Sequence, residues 1–109
     1  MSIKEREETS DVLRRAAQVL RSSGWCRYEL GPARCDAGPH CALGAIYCVA
    51  DRNSTTTERA RVKLATFLIE KRGVNWYQSS SRMISNWNDR LVNDADQVIA
   101  ALEEAAEAV

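Results

Sequence analysis

The chain has 109 residues, 45% of them hydrophobic and 28% charged, with two prolines and five glycines. That excludes a disordered or fibrous chain and leaves room for one domain with a core of its own. Lysine plus arginine equals aspartate plus glutamate at 15 each, so the basic excess of a dedicated nucleic-acid binder is missing. No run of 18 or more apolar residues is present, and no membrane span or membrane partner is expected. The opening MSIKEREETS is charged and lacks the apolar stretch of an export signal. A cytoplasmic protein is therefore expected, with its four cysteines as reduced thiols.

In chain order, residues 9–23 carry Val12, Leu13, Ala16, Ala17, Val19 and Leu20 at helical spacing. Thr9 or Ser10 suits the start of a helix and Gly24 its stop; Ser2 and Glu5 have the spacing of a capping box that would start it earlier. Residues 25–38 show no helical period. Trp25, Tyr28 and Leu30 suggest a short extended insert with a turn at Gly31-Pro32. Pro39 fits the first position of a helix, and Cys41 to Ala50 are then apolar all round, as in a helix buried among others. Gly44 costs helix stability there and marks close approach of a neighbouring backbone.

Residues 55–72 read as a long amphipathic helix, capped by Thr55, Thr56 or Thr57 and ended by Gly73. Residues 74–92 read as irregular, with a short helix over 81–87 capped by Ser79, Ser80 or Ser81. Residues 94–109 have the clearest period, with Ala95, Val98, Ile99, Leu102, Ala105, Ala106 and Val109 in one stripe. Asn93 or Asp94 caps it, and Asp94 with Gln97 has capping-box spacing. The expected architecture is all-α: one helical domain over 1–109, with four main helices around a central helix at about 40–51.

Charge is uneven along the chain. Residues 51–72 hold six basic and three acidic residues; residues 89–109 hold one basic and six acidic. The two stretches could attract each other in the fold or face different partners.

Three segments taken together, Gly24-Trp25-Cys26, Cys41-Ala42-Leu43-Gly44-Ala45 and Trp87-Asn88-Asp89, resemble a family of small uncharacterised proteins of actinobacteria and their phages, a domain of unknown function. The likeness spans roughly residues 10 to 108. It implies an actinobacterial or phage source and a cytoplasmic setting, and no reaction. A Gln-Gly pair commonly follows Trp-Cys in that family; Arg27-Tyr28 stands here. Cys35 and His40 are particular to this sequence.

Candidate chemistry is thin. Cys26, Cys35, His40 and Cys41 are zinc-type ligands, and a Cys/His zinc module is one alternative. No Cys-x-x-Cys pair exists, however, and on a helix His40 and Cys41 diverge. Cys41 in a first helical turn would favour a thiolate, with His40 as a base, but nothing orients that imidazole. No catalytic residue and no cofactor is assigned. A second alternative is a DNA-binding accessory or regulator using the basic 59–63 helix and the 82–88 segment, an order that resembles a helix-turn-helix with too long a turn. The leading expectation is a non-enzymatic protein that binds a host or phage protein, with homodimerisation as an option and nucleic acid disfavoured. Its candidate contacts are Trp76, Tyr77, Arg82, Trp87, Arg59 and Lys63, because interface hot spots favour tryptophan, tyrosine and arginine.

Overall fold

The computed structural model describes residues 2–51 and 53–108; Arg52 and Val109, both counted in the patterns above, lie outside that range. The protein is all-helical, as expected. Its elements are α1 (Ile3–Ser23), α2 (Ala42–Val49), α3 (Ser54–Arg72), α4 (Ser80–Asn86), a π-helical turn (Trp87–Leu91) and α5 (Ala95–Glu107). No strand occurs among the described residues; a single parallel bridge joins Trp25 to His40.

The helix ends follow local chemistry. Ser2 caps α1 by accepting from the Glu5 N–H at 3.1 Å, so the earlier of the two expected starts is the one used. Thr9 lies inside the helix and its hydroxyl donates to the Glu5 carbonyl at 2.8 Å. Asn53, rather than one of the three threonines, caps α3. Gly73 ends it in the left-handed region at φ 67°. Ser79 caps α4. Asp94 caps α5 by accepting from Gln97, whose own side chain reaches back to the Asn93 N–H at 2.7 Å.

Two expectations need correction. Pro39 does not open α2. The His40 N–H and C=O both bond outside the helix, to Gly24 and Cys26, so His40 stays extended and the helix begins only at Ala42, with Cys41 as its cap. Residues 74–92 are also less irregular than their composition suggests, since α4 runs straight into the π-helical turn.

The core is assembled from one stripe of each helix. Leu13, Ile46, Leu64, Leu68, Met83, Ile84, Leu102 and Val98 are fully buried, and each fully buried aliphatic side chain contributes roughly 1.5–3 kcal/mol. α1 lies along α5, while α2 packs on α1, α3 and α4. The opposed charge runs meet where Arg72 of α3 pairs with Glu104 of α5. Arg59 turns instead to Glu5, and Glu103 takes Arg21 of α1 in a two-pronged pair. Among the described residues no helix is long and apolar enough to cross a membrane.

Candidate functional site

The three sequence segments singled out above converge on one buried side chain, Asn88. The π-helical turn directs its amide into the space between the 25–40 loop and the start of α2. Asn88 Oδ1 accepts from the Trp25 indole N–H at 2.7 Å and from the Ala42 N–H at 3.0 Å. Asn88 Nδ2 donates to the Cys26 carbonyl at 3.1 Å and to Asp89 Oδ1 at 2.9 Å. All four hydrogen-bonding positions of the amide are used. Asn88 thus forms a long-range junction, and the Ala42 contact satisfies one of the free N–H groups at the α2 start.

Around this junction the loop is fastened at further points. The Trp25–His40 bridge joins its ends. His40 is buried, and its Nε2 donates to the Pro32 carbonyl at 2.8 Å; its Nδ1 is buried with no hydrogen-bond partner among the described residues. Gly44 is required by contact: a Cβ there would fall 1.6 Å from the Leu30 carbonyl oxygen. The close neighbour is therefore the loop itself, running over α2. Arg27 stacks on Trp25 at 4.6 Å and donates to the Val92 carbonyl at 2.7 Å. Tyr28 adopts φ 69°, a conformation that favours glycine. Its N–H is held by Asp89 Oδ1 at 2.9 Å.

The expectation of four reduced thiols is corrected at one pair. Cys35 and Cys48 form a disulfide with Cα atoms 5.4 Å apart, tying the loop to the last turn of α2. Cys26 and Cys41 are free. The proposed zinc ligands do not assemble into one group: Cys35 is bonded to Cys48, His40 faces Pro32, and no cluster of three metal-type ligands occurs among the described residues. Cys41 does sit at a helix start, and its sulfur accepts from the Gly44 N–H at 3.3 Å. Burial nevertheless dominates over those N–H bonds and pushes its thiol above the ordinary cysteine value. Burial likewise raises Cys26, with Cys41 as the next cause. At both positions burial works against the thiolate form.

The six interaction candidates divide between locations. Trp87 is buried and packs in the core, and reaches the surface only at the floor of the cleft described below. Asn88 is inaccessible, which removes the end of the 82–88 segment from any groove-reading role. Arg59 and Lys63 border a groove between α1 and α3. Arg82 is exposed on α4. Trp76 and Tyr77 are 59% and 47% exposed, on the segment joining α3 to α4. Next to them Val74, Asn75, Leu91 and Gln97 line a shallow cleft, with Leu91 also exposed. Leu91 was not singled out from the sequence, because it stands in a stretch read as irregular, where no period assigns a residue to a face.

The model of a family of unknown function, DUF6197, matches residues 4–108, and the chain belongs to that family. No curated protein and no solved structure gives a match.

Proposed function

We propose that this member of DUF6197 is a non-enzymatic cytoplasmic protein of an actinobacterium or its phage that acts by binding another protein through the edge formed by Trp76, Tyr77 and Leu91. The observation that carries this reading is the exposure of Trp76 and Tyr77, when the other two tryptophans are held by Asn88 or buried in the core. Large aromatic surface left in water beside a cleft is what partner binding covers. Burial that disfavours the Cys41 thiolate, and a His40 ring turned to the Pro32 carbonyl, support a reading without catalysis.

The test is capture from an actinobacterial lysate under reducing conditions with nuclease present, comparing the natural protein with a Trp76→Ala, Tyr77→Ala double variant. The expected result is a host or phage protein retained by the first and lost by the second. Equal retention by both, or substrate turnover that depends on Cys41 or His40, contradicts the reading.

A further inference from the structure

Two parts of the 25–40 loop are held by different means. Its two ends are held by buried or close contacts. Trp25 and Cys26 bond to Asn88, the Leu30 carbonyl lies against Gly44, the Pro32 carbonyl accepts from His40, and the His40 backbone bonds to Gly24 and Cys26. Segment 33–38 hangs between these fixed points. None of its residues belongs to the hydrophobic core, and Ala33, Arg34, Asp36 and Ala37 are exposed. Its polar contacts are a turn from Ala37 to Arg34, an exposed Arg34–Asp36 ion pair and one bond from the Ser23 hydroxyl to the Cys35 carbonyl. Among the described residues no hydrogen bond or ion pair joins the segment to α2; the Cys35–Cys48 bond does.

Both residues of that bond are partly exposed, so a dissolved thiol can reach it, and accessible disulfides are the ones that exchange. Cys26 and Cys41 compete poorly for the exchange, because burial works against their thiolates. A segment with no core contacts opens locally while the rest of the domain stays folded. It therefore has two states, one fastened covalently to α2 and one tethered only through Ser23.

We propose that Cys35–Cys48 is a reversible redox switch that exchanges with a low-molecular-weight thiol such as glutathione, fastening segment 33–38 to the last turn of α2 when oxidised and releasing it when reduced. A glutathione thiolate attacks one sulfur of the pair, the protein S–S bond breaks, and the other cysteine leaves as a thiolate that takes a proton from water. A second glutathione thiolate attacks the glutathione sulfur of the mixed disulfide. That releases the remaining cysteine, protonated in turn, and glutathione disulfide. Two glutathione thiols are oxidised for each protein disulfide reduced, and oxidation by glutathione disulfide is the reverse. The Asn88 junction holds in both states. The switch does not depend on the aromatic edge of Trp76 and Tyr77.

The test equilibrates the natural protein over a series of glutathione thiol-to-disulfide ratios, quenches with acid, alkylates the unfolded chain and locates free thiols by mass spectrometry. Cys26 and Cys41 are expected to be free throughout, and Cys35 and Cys48 to become free together as the ratio rises and to pair again as it falls, with helicity kept in circular dichroism. In parallel, trypsin is applied without reductant to the oxidised natural protein and to a Cys35→Ser, Cys48→Ser variant. Cleavage after Arg34 should be at least about tenfold faster in the variant, as for a segment freed to open locally. Cleavage after Arg27, which stacks on Trp25, should stay slow in both. A pair that stays oxidised at every ratio or never forms, exchange that moves to Cys26 or Cys41, loss of helicity on reduction or in the variant, or equal cleavage after Arg34 overturns the proposal.

Discussion

The loop of residues 25–40 and the loop of residues 73–79 have similar ingredients. Both are non-helical, both contain glycine, and both carry a tryptophan and a tyrosine. In the first loop Trp25 bonds to Asn88, the backbone of Gly24 and Cys26 bonds to His40, and Cys35 is tied to Cys48. In the second, no described backbone partner takes the Trp76 or Tyr77 N–H, and both side chains face water. Irregular backbone is rigid where its polar groups find buried partners and labile where they do not. The tryptophan in the anchored loop is therefore structural, and the one in the free loop is available to a partner.

The largest expected effect is at the junction. Asn88→Ala leaves the Trp25 indole N–H, the Ala42 N–H and the Cys26 carbonyl without their partner. Each unsatisfied buried group costs about 1–3 kcal/mol, so urea unfolding should report a loss of about 3–5 kcal/mol. An unchanged midpoint would mean that the 25–40 loop is no better anchored than the other. Next comes Cys35→Ser, which opens a crosslink spanning 13 residues. Chain entropy gives about 3 kcal/mol for a loop of that size. Adding reductant to the natural protein should produce the same loss, and the variant should then be insensitive to reductant.

Tyr28→Gly should act in the opposite direction. It removes an exposed side chain from a left-handed position and should raise stability by about 0.5–1 kcal/mol in the same assay. A loss would show that the phenol ring contributes packing. The smallest effect is expected in the other loop, where Trp76→Ala with Tyr77→Ala should change stability by no more than about 0.5 kcal/mol, while removing partner capture. A larger change would show that the two rings are structural after all.

What the sequence revealed, and what it concealed, follows the range of each interaction. Ser2 with Glu5, Asp94 with Gln97, Ser79 before α4 and Gly73 after α3 act within a few residues, and each is readable from spacing alone. The apolar stripes of α1, α3 and α5 are readable for the same reason. The start of α2 was misjudged because His40 is claimed by residues 24 and 26 across the loop. The role of Asn88 was hidden because its partners Ala42, Cys26 and Trp25 lie 46 to 63 residues away, and no periodicity reports such a bond. The only trace of that junction was that three separate short segments stood out together, and they are the three that meet. Gly44 was legible as a site of close approach, but not which segment approaches. Trp87 was misassigned to an interface because its run looked irregular, whereas the π-helical turn folds it inward.

The most direct measurement is native-state amide hydrogen exchange followed residue by residue. The account predicts that the amides of Cys26, His40 and Ala42, which bond across the junction, exchange only through global unfolding, while those of Trp76 and Tyr77 exchange at nearly the rate of an open chain. If Ala42 and Cys26 exchanged as fast as Trp76, the Asn88 junction would not anchor the loop, and the contrast on which the functional assignment rests would be lost.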